Sequence, residues 1–289
     1  MYIKLSTIEA GGNTNPILIE NFPAPSTELR TNYVDAPNRD GQLVGRDFLG
    51  SSTWGFDFVT NKSNLQEAFS EIGKLEHVWK DSKNRLNSNV AIPLRYSLDG
   101  TNWFRIYGRC GQFTGSTPDV LATLGVARAT ADFVQTRVEH FSDTEHLNTI
   151  TYVPPVQGGL TAPLTSPLTS SGTGEERGGF VTNGGNVPTP LSIRFYGPIS
   201  NPVLRSEAGW EVSYRGSIAT GDYVDINPLM GTVKRKNGSS VAGNLGTKVR
   251  LSKVNLPVGQ STLYLSGTDS TGLSKVELRW RDAWSSMQY

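Results

Sequence analysis

One segment in the first half of the chain has the apolar periodicity of an amphipathic α-helix. Its apolar residues recur every three or four positions and therefore share one helical face. They are Leu65, Phe69, Ile72, Leu75 and Trp79. Ser63 and Gln66 have the spacing of a capping box at the start of this segment. The pattern predicts a helix over about residues 63–80.

Strand-like stretches surround this helix. They are rich in β-branched and aromatic residues and cover residues 54–59, 90–96, 103–107 and 131–138. Asp99 and Gly100 predict a hairpin turn between the two middle stretches. Pro93 predicts a strand edge or a bulge, because proline has no N–H to donate to a ladder. We therefore predict a mostly β first domain with one α-helix.

Apolar and polar residues alternate more strictly in the second half of the chain. The apolar positions are Leu191, Ile193, Phe195, Trp210, Val212, Tyr214, Val224, Ile226, Leu263, Leu265, Val276, Leu278 and Trp280. Short turn sequences rich in Gly, Pro, Asn and Asp separate these stretches. The spacing predicts an antiparallel β-sandwich or jelly roll, without a helix.

A segment rich in Pro, Gly, Ser and Thr lies between the two patterns and is typical of a linker. It divides the chain into a first domain of residues 1–152, a linker of residues 153–178 and a second domain of residues 179–289. The length of 289 residues agrees with two domains, each large enough for its own core.

Charge and composition exclude several classes of protein. With 27 Lys and Arg against 26 Asp and Glu, the chain has no basic excess, so we expect no specific binding of nucleic acid. No stretch of about 18 apolar residues and no export signal is visible, so we expect synthesis in the cytoplasm and no membrane association. The single cysteine, Cys110, rules out an intrachain disulfide.

Candidate catalytic and metal-binding residues are sparse. The densest polar group in the sequence comprises Glu139, His140, Asp143, Glu145 and His146. It lies where a predicted strand enters a loop and lacks the ligand spacing of a defined element, so we predict no metal site there. His77 lies on the polar side of the predicted helix, and exposure to solvent explains it.

Two other patterns give no better candidates for catalysis. Residues 108–115 are rich in glycine but lack the spacing of a phosphate-binding loop, and Cys110 among them is interpreted as a small buried residue. Two carboxylates of a pair for glycoside hydrolysis could come from among Asp222, Asp225 and Asp269. Asp222 lies in a turn, however, and Asp225 alternates with apolar residues. We therefore predict no catalytic residue, no metal and no cofactor.

Three tryptophans could form a platform for a sugar ring, because the C–H groups of a saccharide pack on aromatic faces. Trp210 and Trp280 occupy the apolar phase of their strands, which favours packing in the core. Trp284 is less constrained, and it is the candidate for a saccharide contact.

Several motifs in the linker and second domain resemble those of distal tail proteins of long-tailed bacteriophages, of the siphovirus type and especially those that infect actinobacteria. They are residues 154–163 (PPVQGGLTAP), 181–203 (VTNGGNVPTPLSIRFYGPISNPV), 221–227 (GDYVDIN), 256–260 (LPVGQ) and 276–284 (VELRWRDAW). Each is a predicted strand or turn. They therefore indicate a fold family and no catalytic mechanism.

This resemblance implies a structural protein of the virion, located at the distal end of the tail, and no enzyme. The first domain would form a belt in a homo-hexameric ring, and the second would be a galectin-like antiparallel β-sandwich. The ring would act as a baseplate hub that joins the tail tube to the tip. Its implied partners are the tail tube protein, the tape measure protein, tail tip or tail fibre proteins, and a saccharide of the host surface.

Two other functions stay open from the sequence. The chain could be a carbohydrate-binding module or adhesin that uses the second domain. It could also be a tail-associated hydrolase, although such an enzyme needs a carboxylate pair or a Ser-His arrangement that the sequence does not show.

Overall fold

A computed structural model of the chain describes residues 1–23, 25, 27–88, 91–115, 120–152, 178–269 and 271–287. The expected linker lies outside these residues, except for residue 178. The described chain forms two compact units: Met1–Thr144 with Trp284–Tyr289, and Glu145–Ala283. The expected first domain, residues 1–152, includes residues 145–152, which pack in the second unit of the structure.

The described residues of the first unit up to residue 144 form strands β1–β12 and helices α1–α3. They are β1 (Tyr2–Leu5), β2 (Ile8–Gly11), β3 (Ile17–Asn21), β4 (Leu29–Arg30), β5 (Tyr33–Asp35), β6 (Gln42–Val44), β7 (Phe48–Leu49), β8 (Ser52–Thr60), α1 (Leu65–Trp79), α2 (Ser82–Leu86), β9 (Ile92–Ser97), β10 (Phe104–Gly115), α3 (Val120–Thr123), β11 (Arg128–Gln135) and β12 (His140–Ser142). The main sheet has the antiparallel strand order β2-β1-β9-β10-β11-β8-β3.

Helix α1 packs on this sheet and completes the core of the first unit. Alternate residues of β8, Trp54, Phe56 and Phe58, are fully buried. The ring of Trp79, at the end of α1, lies edge-on to Phe56 and Phe58, with centroid distances of 6.2 and 6.1 Å. Edge-to-face packing adds to the stabilisation that burial of these large rings provides. The predicted helix is therefore present, with its apolar face towards the sheet.

The start of α1 differs from the expected capping box. The N-cap is Asn64, whose side-chain oxygen accepts a hydrogen bond from the backbone N–H of Glu67 at 2.9 Å. The Asn64 amide also donates to the Glu67 carboxylate at 3.0 Å. Asparagine is among the best N-cap residues, and the helix therefore begins one residue later than Ser63 and Gln66 suggest.

The four strands expected around the helix are present as β8, β9, β10 and β11. The hairpin turn at Asp99 and Gly100 connects β9 to β10, and Gly100 has a φ of +83°, which glycine adopts without strain. Pro93 pairs only with β10, since the ladder with β1 ends at Leu94. Pro93 thus occupies the edge position that its missing N–H requires.

The second unit is an antiparallel sandwich. Its strands are β13 (His146–Thr151), β14 (Gly178–Asn183), β15 (Thr189–Pro190), β16 (Ser192–Tyr196), β17 (Ile199–Ser206), β18 (Glu211–Ser213), β19 (Ser217–Ile218), β20 (Tyr223–Asn227), β21 (Thr232–Arg235), β22 (Asn255–Leu256), β23 (Gly259–Thr268) and β24 (Lys275–Trp280). The last strand, β25 (Ala283–Trp284), contains the end of this unit at Ala283, and its Trp284 belongs to the first unit. One sheet has the order β13-β24-β16-β20-β21. The other has the order β14-β23-β17-β18, with β19 also paired to β17.

The two sheets of the sandwich share one apolar core. Nearly all the alternating apolar residues predicted from the sequence lie in it, including Phe195, Val224 and Leu278, which are fully buried. The helical content of this unit is limited to 3₁₀ turns at Ala242–Asn244 and Leu251–Lys253 among its described residues. The prediction of a mainly β chain with antiparallel sheets is confirmed. None of the described helices has the length and apolar character needed to span a bilayer.

Candidate assembly surface

A β-hairpin of the first unit, residues 28–50, follows β3 and precedes β8 in the sequence, and all its residues are exposed except the partly buried Ala36 and Gly50; we call it the exposed hairpin. In it, β4 pairs with β7 and β5 pairs with β6, both antiparallel. Backbone hydrogen bonds from Gly50 to Glu28 and from Gly45 to Asn32, at 2.7 and 2.8 Å, continue the ladder between these strands. Neither pair has a third strand among the described residues, so its outer edges are open.

Two glycines explain why this sequence folds back on itself. Gly41 follows Asp40 in the turn and has a φ of +104°, a conformation that disfavours residues with a Cβ. Gly45 lies against the opposite strand, where a Cβ atom would come within 2.3 Å of the Asn32 carbonyl oxygen. The hairpin is thus specified by local sequence, although it lacks a core of its own.

The exposed hairpin has an unusual density of apolar side chains in contact with solvent. Seven of the nineteen exposed large hydrophobic residues in the described part of the chain belong to it: Leu29, Tyr33, Val34, Leu43, Val44, Phe48 and Leu49. Val34 lies opposite Leu43, and Tyr33 lies opposite Val44. Successive residues of a strand point to opposite faces, so both faces of the hairpin are apolar.

Charged residues of both signs accompany these apolar side chains. Residues 28–49 contain the cations Arg30, Arg39 and Arg46 and the anions Glu28, Asp35, Asp40 and Asp47. The Tyr33 hydroxyl donates a hydrogen bond to the Asp47 carboxylate at 3.2 Å, and the negative charge of Asp47 raises the pKa of Tyr33. The hairpin therefore presents an almost neutral surface of mixed charge.

These features together are those of a protein–protein contact. A two-stranded hairpin without a packed face is marginal in water, and its open edges can pair with another strand. Contiguous exposed apolar surface in a folded protein commonly marks an interaction site. The exposed hairpin therefore has the surface chemistry that association with another protein requires.

This hairpin is not among the elements predicted from the sequence, although its signals are present. Asp40 and Gly41 form the type of dipeptide that connects hairpin strands, and short apolar runs flank it on both sides. The strands are only two or three residues long, so no run shows a clear alternation. Exposure, which distinguishes this hairpin from a core hairpin, cannot be read from its residue types.

The polar group at residues 139–146 does not form one site, because its members have separate partners. The Nδ1 atom of His140 lies 2.8 Å from the Tyr96 hydroxyl in the buried interior of the first unit. Asp143 forms ion pairs with Arg95 and Arg105. In the second unit, His146 lies 3.0 Å from Asp282, and Glu145 pairs with Arg281. No described group of three or more His, Cys, Asp or Glu residues is arranged to hold a metal ion.

The other candidate chemical residues also have structural partners. Cys110 is partly buried, and burial raises the pKa of its thiol to about 12, which disfavours the nucleophilic thiolate. Asp225 accepts hydrogen bonds from Arg194 and Arg279 at 2.9 and 3.1 Å. Asp269 caps a turn by accepting from the backbone N–H groups of Thr271 and Ser274.

The three candidate tryptophans have different environments. Trp280 is buried and donates its indole N–H to the Thr182 carbonyl at 3.0 Å. Trp210 is partly buried and donates to the Asn255 carbonyl at 2.8 Å. Trp284 belongs to the first unit and packs edge-on against Phe104, with the ring centroids 5.4 Å apart. The saccharide contact expected for Trp284 stays a prediction.

Comparison with known proteins finds similarity only in structure. No protein-family model matches the chain, and no curated protein matches its sequence. The crystal structure of the Dit protein of phage SPP1, described as a hub of the adsorption apparatus in phages that infect Gram-positive bacteria, matches with a TM-score of 0.58. The identity is 12%, and the match covers 92% of this chain and 93% of Dit.

The baseplate of phage P2 gives two further matches, both from its activated conformation. The structure with calcium has a TM-score of 0.51 at 11% identity and covers 93% of this chain and 91% of the matched chain. The structure with strontium has a TM-score of 0.52 at 11% identity, with 97% and 96% covered. The resemblance noted in the sequence is thus confirmed in the fold, and an actinobacterial host stays a prediction. The chain has the fold of phage Dit hub and baseplate proteins.

Proposed function

We propose that this chain is a structural component of a bacteriophage tail tip, a distal tail protein that assembles as a homo-hexameric ring. The exposed hairpin carries this proposal, because it presents apolar surface on both faces and unpaired strand edges. The fold shared with phage hub and baseplate proteins supports the same role. As a hub, the ring joins the tail tube to the baseplate or tip and positions the proteins that recognise the host.

The charges of the chain are compatible with close packing of identical copies. Its formal net charge of +1 produces little repulsion between neighbours in a ring. The exposed hairpin has three cations and four anions, so opposite charges can meet when it lies on a second copy. A closed ring of identical subunits would bury the open strand edges that otherwise invite uncontrolled association.

The proposed role defines the partners and the location of the protein. The ring contacts the tail tube protein, the tape measure protein and tail tip or tail fibre proteins at the distal end of the virion. The first unit forms the belt, and the second is a galectin-like sandwich on this proposal. The protein acts by assembly and is no enzyme.

Polar substitutions on one face of the exposed hairpin test this proposal. Val34→Ser with Leu43→Ser removes two directly opposed apolar side chains that are 60% and 48% exposed. Because neither side chain is in the core, we expect each subunit to stay folded while the assembly dissociates towards the chain mass of 31.4 kDa. Size-exclusion chromatography with light scattering measures this mass.

A matched control variant removes exposed apolar side chains from the second unit. Val258 and Leu273 are 51% and 69% exposed, and Val258→Ser with Leu273→Ser makes the same kind of change outside the exposed hairpin. This control should keep the mass of the wild-type assembly. If both double variants keep the wild-type mass, or both lose it equally, the exposed hairpin does not hold the ring together.

A further inference from the structure

A cleft of about 580 Å³ lies in the second unit, between the turn after β17 and the loop that precedes β22. Arg205, Trp210 and Glu211 line it from the β17–β18 side. Lys248, Arg250 and Lys253 line it from the other side. None of these residues takes part in the exposed hairpin, which belongs to the first unit.

Backbone hydrogen bonds shape both walls of the cleft. The Ser206 N–H donates to the Trp210 carbonyl at 3.0 Å and closes the turn between β17 and β18. On the opposite wall, Val249 donates to Gly246 at 3.0 Å and Lys253 donates to Arg250 at 2.9 Å. The cleft is therefore formed by turns with internal hydrogen bonds, and its volume falls within the range of small-ligand sites.

The cleft concentrates positive charge in a chain that is almost neutral. Its four cations face a single carboxylate, Glu211, which is already paired with Arg205 at 2.9 Å. Lys248, Arg250 and Lys253 have no ion-pair partner among the described residues. The cleft thus has a local charge of about +3, whereas the whole chain has a formal net charge of +1. A negatively charged ligand would find unpaired cations there.

Trp210 gives the same cleft an aromatic wall. Its indole N–H is held by the Asn255 carbonyl at 2.8 Å, and part of the ring packs against the core of the sandwich. The ring is therefore fixed in place while it still lines the cleft. A fixed aromatic face packs against the C–H groups of a sugar ring at a small cost in side-chain entropy.

We propose that this cleft binds an acidic saccharide, with a sugar ring against Trp210 and its carboxylate or phosphate groups on Lys248, Arg250 and Lys253. The aromatic wall selects a ring with C–H groups, and the unpaired cations select a charged one. Charge-assisted hydrogen bonds are roughly twice as strong as neutral ones, which favours the acidic saccharide over a neutral one. This inference does not rest on the hub proposal, because binding in the cleft needs no ring.

Binding to the purified full-length chain tests the proposal with three probes in calorimetry. An oligogalacturonate offers sugar rings and carboxylates, a malto-oligosaccharide of equal length offers rings alone, and inorganic polyphosphate offers charge alone. We expect the oligogalacturonate to bind at least about tenfold more tightly than either of the other two. Its affinity should fall as the salt concentration rises, because salt screens exposed charges.

Two lysine pairs give a variant and its matched control. Lys248→Ala with Lys253→Ala removes two exposed cations from the cleft, and Lys234→Ala with Lys236→Ala removes two exposed cations of the same unit outside it. The first variant should weaken oligogalacturonate binding about tenfold, and the second less than about twofold. Equal weakening by both variants, equal affinity for polyphosphate, or no binding of the oligogalacturonate would overturn the proposal.

Discussion

Buried polar residues in the first unit help to specify which residues of neighbouring strands lie opposite each other. Apolar packing alone specifies this less strictly. Gln135, on β11, accepts hydrogen bonds at its Oε1 atom from the Ser52 hydroxyl at 2.8 Å and the Trp54 indole N–H at 2.9 Å. All three residues are buried, so an unpaired group among them would carry a desolvation cost. These bonds reinforce the register between β8 and β11, in which Ser52 lies opposite Gln135.

His140 is a buried residue whose protonation should lower the stability of the first unit. It is 6% exposed, and burial lowers the pKa of its imidazole from 6.5 to about 4. A charged imidazole also has no acceptor nitrogen for the Tyr96 hydroxyl. The unfolded chain therefore binds more protons than the folded one between these two pKa values.

We predict that the free energy of unfolding falls by up to about 3 kcal/mol through His140 as the pH drops from 6.5 to 4. Above pH 6.5, His140 is neutral in the folded and the unfolded chain, and this loss of stability is absent. Urea unfolding across this pH range measures it, with His140→Gln as the variant that stays neutral. The variant should lose stability less steeply than the wild type as the pH falls.

His77→Asn is the matched control, because His77 is exposed on helix α1. It leaves the buried pair of His140 and Tyr96 intact, so it should keep the loss of stability at low pH that His140→Gln reduces. If His140→Gln and the wild type unfold with the same dependence on pH, burial of a neutral His140 does not contribute as described.

At the scale of single elements, the start of α1 offers a clear test of local structure. Asn64→Ala removes the side-chain acceptor of the Glu67 N–H and should destabilise the chain by about 1 kcal/mol. Ser63→Ala should change the stability by less than about 0.5 kcal/mol, because Ser63 does not cap the helix. Thermal or urea unfolding of both variants checks this. A larger loss of stability in Ser63→Ala than in Asn64→Ala would show that Ser63 caps the helix, as the capping box predicts.

The sequence predicts those elements whose side chains alternate between core and solvent. Helix α1 and strands such as β16 and β24 follow this rule, since each packs one face against a single core. Strand β13 does not follow this rule, although its burial alternates and it pairs with β24. Its two apolar residues, the exposed Leu147 and the buried Ile150, fall on opposite faces of the strand, so the residue types carry no periodic signal.

The residues of the candidate sites could also be predicted from the sequence only in part. The polar residues that the sequence singles out have separate structural partners in the fold, such as Tyr96 for His140 and Arg194 for Asp225. Trp210, however, was expected in the core, and only the fold brings Lys248 and Lys253 to the cleft that it lines. Residue spacing cannot predict contacts between loops that are about 40 positions apart.

Removal of the exposed hairpin should leave the first unit folded. The core of this unit contains none of residues 28–50, and the hydrogen bond between Glu28 and Gly50 holds the two ends of the exposed hairpin close together. We predict that replacing residues 28–50 by a short Gly-Ser linker preserves cooperative unfolding and the near-ultraviolet circular dichroism spectrum. Loss of cooperative unfolding would show that the exposed hairpin is part of the fold.

On the scale of the whole molecule, this chain keeps the fold of phage hub and baseplate proteins at 11–12% identity. Such divergence is compatible with a fold that depends on alternation and core volume more than on particular residues. On our account, the two compact units have different roles. The first associates through the exposed hairpin, and the second presents a separate cleft.

The assembled state of the chain tests this account most directly. Mass photometry and negative-stain electron microscopy of the purified protein should show rings with about six times the chain mass of 31.4 kDa. We predict such rings for the wild type and a smaller species for the variant without the exposed hairpin. A single species of 31.4 kDa at every concentration, alone and together with a tail tube protein, would contradict the account.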